Sequence, residues 1–75
     1  MTKYPVLPAR KIIGVLKRLG FEIVGQRGSH IKLRKQCKGR NSTTIVPNHK
    51  TVMPGTLKGI LELGGIEIAE FLANL

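Results

Sequence analysis

Gly28-Ser29-His30-Ile31-Lys32-Leu33-Arg34 is the stretch on which the fold turns. Ile31 and Leu33 alternate with His30, Lys32 and Arg34, the period-2 pattern of a half-buried strand. The two apolar residues are expected to enter a core, leaving an imidazole and two cations on the solvent face. A histidine exchanges a proton near neutral pH, and cations beside it attract phosphate. Such a face suits metal-free RNA cleavage. The competing reading is a solvated strand face on which the histidine carries no chemistry, and these seven residues taken alone favour it.

Composition narrows the choice. A chain of 75 residues is read as a single domain over 1–75, and one this short buries only roughly 60% of its unfolded surface. Function is therefore expected on an exposed face rather than in an enclosed cavity. Thirteen Lys and Arg stand against four Glu, a formal charge of +9. Its distribution says more than its total. Residues 1–61 hold all thirteen bases and only Glu22, a net +12, whereas residues 62–75 hold Glu62, Glu67 and Glu70 and no base, a net −3. Basic charge clustered in this way is the electrostatic footprint of a polyanion binder.

Cys37 is the single cysteine, so an intrachain disulfide scaffold is excluded. With no orienting partner evident, it is read as a loop thiol rather than a nucleophile. His30, Cys37 and His49 match no zinc spacing, and no metal or other cofactor is expected. No apolar run approaches the ~20 residues of a membrane helix, and no signal-peptide core follows the N-terminus. The chain reads as cytoplasmic with no membrane partner. Tyr4, Phe21 and Phe71 are the only aromatics, and both phenylalanines fall on apolar stripes. Base-stacking platforms are poorly supported.

Working outward along the chain, residues 1–7 read as a loosely held lead-in. Pro8 suits the first turn of a helix, which runs from Ala9 to Leu19. Ile12, Val15, Leu16 and Leu19 form its apolar stripe, with Ile13 on the edge and Arg10, Lys11, Lys17 and Arg18 opposite. Gly20 ends it in a left-handed conformation. A first strand is expected over Phe21 to Gln26, with Phe21 and Ile23 inward and Glu22 and Val24 outward. Arg27-Gly28 then supplies a tight turn. The second strand is residues 29–35, and Gln36 to Asn41 reads as a basic hairpin loop. The β-branched run Ser42 to Val46 makes a third strand, which Pro47 ends. Pro54 opens a helix with Leu57, Ile60 and Leu61 on its apolar side, and Gly64-Gly65 breaks it. Ile68, Phe71, Leu72 and Leu75 recur at helical spacing and are expected to close the core.

The resulting class is α+β with αβββα order: a three-stranded antiparallel sheet with helices packed on one face and the other face wet. That is also the order of the double-stranded-RNA-binding domain, which reads A-form RNA by shape through phosphate and 2′-OH contacts. The basic side of the first helix and the second hairpin would supply such contacts, and a non-catalytic double-stranded-RNA-binding module is the alternative function. No recognition helix for DNA is evident, so direct DNA binding is not expected.

Four segments, taken together, resemble the HicA (YcfA-like) toxin family of small mRNA-cleaving toxins. They are Leu16-Lys17-Arg18-Leu19-Gly20-Phe21, Gly28-Ser29-His30, Val46-Pro47-Asn48-His49, and Gly55-Thr56-Leu57-Lys58-Gly59-Ile60-Leu61. Their order and separations match the family over nearly the whole chain. The first helix lacks a Ser or Thr cap, and the last has Gly65-Ile66-Glu67-Ile68 where the family often has Ser-x-x-Glu. Both departures touch helix ends rather than the strand that carries His30.

The resemblance implies an RNA endonuclease, an mRNA interferase whose essential histidine corresponds to His30, and a HicB-like antitoxin as partner. His30 would take the proton of a 2′-OH, which attacks the adjacent phosphorus. Lys32, Arg34 and Arg27 would hold the phosphate and offset its charge. Water, His30 in a second role and Lys32 are the candidates for protonating the leaving 5′-oxygen. Arg10, Lys11, Lys17 and Lys35 complete the expected RNA-binding set. Ser29 is placed there too, with turn stabilisation as its other reading. His49 is read as a loop histidine anchoring the strand-to-helix connection, with a second acid–base role as the alternative.

Overall fold

Ile31 and Leu33 are buried while His30, Lys32 and Arg34 are exposed, so the alternation of the central strand is carried through to the fold. The computed structural model describes residues 4–75. Its elements run α1 (Ala9–Arg18), β1 (Glu22–Arg27), β2 (His30–Cys37), β3 (Arg40–Pro47), α2 (Pro54–Gly64) and α3 (Ile68–Ala73). The sheet is an antiparallel meander in the order β1-β2-β3.

Helix α1 buries Ala9, Ile12, Val15 and Leu16 and keeps Arg10, Lys11, Lys17 and Arg18 outside, as its 3.6-residue stripe requires. Its end is closed by two bonds: Phe21 N–H donates to the Leu16 carbonyl at 2.9 Å and Gly20 N–H to that of Lys17 at 3.0 Å. This pairing needs a left-handed residue, and Gly20, at φ +101°, supplies it. Its start differs from expectation. Pro8 lies one residue outside the helix, and the Ala9 N–H is taken by the His49 carbonyl at 2.9 Å. The lead-in is also held rather than loose over the described residues. Leu7 and Val52 form a two-bond bridge, and Tyr4 and Leu7 pack against the core. Residues 1–3 of that lead-in lie outside the described residues.

The sheet departs from expectation at its turns and at one edge. The first hairpin loop is Gly28-Ser29, because Arg27 pairs with His30. Ser29 is therefore a turn residue and Arg27 a strand residue. The second loop is only Lys38-Gly39, because Cys37 pairs with Arg40. Both strands extend further than composition suggests, since the ladder supplies bonds to residues of low intrinsic β preference.

Ile23 shares the inward face with Leu33, yet it is 46% exposed. The reason is placement: α1 and α2 pack over β3, leaving β1 as an edge beyond the helical cover. The same geometry corrects α3. Phe71 is buried and Ile68 half-buried, but Leu72 and Leu75 are 41% and 53% exposed, because the core is already closed by Leu57, Ile60 and Leu61 of α2.

Candidate active site

Opposite residues of an antiparallel pair share a face with Cβ atoms ~5 Å apart, so the register defines a grid on the uncovered face. The first row is Arg27, His30 and Pro47. The second is Gly25, Lys32 and Ile45. The third is Glu22, Arg34 and Thr43. Residues two apart on a strand are separated by ~6.7 Å, so His30, Lys32 and Arg34 form a line of evenly spaced polar heads.

His30 and Arg27 close the first hairpin, and this fixes their geometry. The Asn48 amide donates to the Ser29 carbonyl, and Gln26 Nε2 donates to the Gly28 carbonyl at 3.2 Å. The turn is thus tied both to itself and to the segment leaving β3. Arg27, His30 and Lys32, with Gly25, Gln26 and Ile45, border an open cleft of about 490 Å³. Arg34 lies further along, lining a smaller groove with Glu22, Val24 and Gln36. A proton acceptor flanked by cations across the strand and along it is an arrangement that can deprotonate a hydroxyl next to a bound phosphate.

Two of the expected RNA-binding cations, Arg27 and Lys32, border the cleft with His30, and Arg34 shares its face two rows along. The others do neither. Lys35 has the parity of Leu33 and so belongs to the covered face, where it is half-buried with its stem against Gly20. It borders a separate groove with Lys38, Arg40 and Glu70. Arg10, Lys11 and Lys17 are exposed on α1, which lies on the helical side of the sheet, away from the face that carries His30. Ser29 is exposed in the turn.

His49 lies outside the His30 cleft, in a groove with Pro8, Arg10, Asn48 and Lys50. Its anchoring is done by the main chain: the carbonyl receives the Ala9 N–H, and its own N–H donates to the Pro47 carbonyl at 2.8 Å. Cys37 is exposed at the second hairpin. Among the described residues, no three His, Cys, Asp or Glu side chains cluster as metal ligands would. Nor is any helix among them long and apolar enough to cross a membrane.

Sequence reasoning missed Gly25 and Ile45 as neighbours of the site. Ile45 had a usable signal, since it alternates with Thr44 and Val46 on the outward parity. Gly25 had none, because its place depends on an irregularity in β1 between Ile23 and Gly25.

A comparison with curated proteins finds no match. A family model described as HicA toxin of bacterial toxin-antitoxin matches residues 9–66. That span runs from the first residue of α1 to Ile66, just past the end of α2. It takes in the whole sheet and the hairpin that presents His30. A match over well over half of its length places the chain in the HicA toxin family, as a toxin of a toxin–antitoxin system.

Proposed function

We propose that this toxin is a metal-independent RNA endonuclease, an mRNA interferase that acts through His30. The observation that carries the reading is the Arg27–His30 pair closing the first hairpin on the uncovered sheet face, with Lys32 exposed beside it. The neutral imidazole takes the proton of a ribose 2′-OH. The 2′-oxygen attacks the adjacent phosphorus and the bond to the 5′-oxygen breaks, leaving a 2′,3′-cyclic phosphate and a 5′-hydroxyl. The leaving oxygen takes its proton from the imidazolium so formed, from Lys32 or from water. Arg27 and Lys32 offset the charge that develops on the phosphoryl oxygens, with Arg34 holding the next phosphate along the strand. DNA lacks the attacking hydroxyl and is spared.

The separation of the α1 cations from His30 favours cleavage at the sheet face over the passive duplex-binding alternative. Arg10, Lys11 and Lys17 and the His30 line occupy opposite sides of the sheet. A HicB-like antitoxin is the partner that this reading requires, drawn by charge to the cationic face.

The test is cleavage of RNA by the purified protein and by His30→Ala in excess EDTA. Wild type is expected to cleave and to leave 2′,3′-cyclic or 3′-phosphate ends. His30→Ala is expected to fold, to bind RNA and not to cleave. Cleavage by His30→Ala at the wild-type rate overturns the assignment, and 5′-phosphate ends with a strict magnesium requirement overturn the mechanism.

A further inference from the structure

Gly25 is a glycine that the fold does not require. Its φ lies outside the left-handed region, and a Cβ built on it would meet no atom within 4 Å. It sits where β1 is irregular, with Val24 unpaired and Gly25 opposite Lys32. Such bulges often adjoin functional sites. A side chain at Gly25 would project into the 490 Å³ cleft bordered by Gln26, Arg27, His30, Lys32 and Ile45. Ile45 is 41% exposed, an aliphatic surface next to Lys32 on the same face.

The chemistry of ribose says what must lie there. The base is attached to the carbon next to the one that bears the 2′-OH. If His30 holds that hydroxyl and Arg27 and Lys32 hold the phosphate, the base lies within one ring's width of all three. Aliphatic side chains and guanidinium planes are surfaces on which an unstacked base packs.

We propose that the hollow over Gly25, flanked by Arg27 and Lys32 with Ile45 on the far side of Lys32, seats the nucleobase of the nucleotide 5′ to the cleaved bond, so that this nucleotide must be unpaired. The proposal rests on the ribonuclease reading above and adds its substrate requirement. A base in a duplex is stacked on both faces and cannot enter. Gly25 thus acts as a specificity determinant by having no side chain.

The test uses a single-stranded RNA oligonucleotide of mixed sequence whose cleavage site is first mapped. A second oligonucleotide carries an abasic ribose, with its 2′-OH intact, at the mapped nucleotide, and a third is the first annealed to its complement. Wild type is expected to cleave the abasic strand about ten-fold more slowly than the intact one, the scale of one stacked base. The duplex is expected to be cleaved more slowly still. Gly25→Val is expected to slow the intact strand about as much as loss of the base does, and to slow the abasic strand no further.

Equal rates on intact and abasic strands with wild type overturn the proposal, as does a duplex cleaved as fast as the single strand. Equal slowing of both strands by Gly25→Val overturns it too, since a general structural disturbance acts on both. If Gly25→Val does not fold, as read by thermal melting, the wild-type comparison decides alone. Cleavage that His30→Ala abolishes but that ignores the base leaves the ribonuclease reading standing and removes only this one. If wild type cleaves no RNA, both fall.

Discussion

Thr44 is the buried polar side chain among the described residues, and it tests how the sheet is held to α2. Its hydroxyl donates to the Ile60 carbonyl at 2.7 Å, and it sits opposite Leu33 in the register. Thr44→Val keeps the shape and removes the bond. The net contribution of such a bond is ~1 kcal/mol. The Ile60 carbonyl keeps its helical N–H partner one turn on, so the larger cost of an orphaned buried group does not arise, and a methyl replacing the hydroxyl recovers a few tenths of a kcal/mol.

The expected loss is thus ~0.5–1 kcal/mol, a fall in Tm of roughly 2–8 °C for a domain of this size. Thr44→Ser keeps the bond and deletes a buried methyl, at a cost of ~1 kcal/mol from transfer and cavity together. Thr44→Ala loses both, ~2 kcal/mol. Differential scanning calorimetry on the four proteins gives the comparison. A Tm for Thr44→Val at or above wild type would refute the reasoning, since packing alone would then hold α2 on the sheet. RNA cleavage well below Tm is expected to be unchanged in Thr44→Val, because Thr44 faces the core and His30 the solvent.

Gly64→Ala is expected to destabilise despite the better helix propensity of alanine, because its Cβ would lie 3.2–3.4 Å from Ile66 Cδ1, Thr44 Cβ and Phe21 Cζ. The magnitude is up to ~2 kcal/mol, an overpacking cost of ~1–3 kcal/mol less a propensity gain of ~1 kcal/mol, and denaturant titration checks it, a raised midpoint being the contrary result. Neutralising Lys32 and Arg34 together is expected to lower the slope of log affinity against log salt by ~1.4 for single-stranded RNA, two contacts at ~0.7 each. An unchanged slope would mean that RNA binds elsewhere. A cognate HicB-like antitoxin is expected to protect the strand around His30 from hydrogen exchange and to compete with RNA. Protection confined to residues 62–75 would defeat direct occlusion.

What the sequence by itself determined is everything carried by short-range periodicity. The Ile12-Val15-Leu16 stripe placed α1, Pro54 and the Gly64-Gly65 pair bounded α2, and the alternation from His30 to Arg34 set the faces of the central strand. From these followed the αβββα order and the histidine among cations. These signals survive because each depends on neighbours within one or two turns or on the pleat of one strand. Parity even held for Lys35, whose covered-face position is readable from Leu33.

The tertiary structure decided what depends on how layers are laid over one another. The helices lie over β3, which is why Ile23 points inward and still meets solvent, and why Leu72 and Leu75 keep a helical spacing that closes nothing. It put Arg10, Lys11 and Lys17 on the far side of the sheet from His30, although they share one basic sequence. It also set the β1 irregularity that brings Gly25 opposite Lys32 and opens the cleft beside His30. No local pattern encodes these, because each is a contact between segments far apart in the chain, settled only when the core packs.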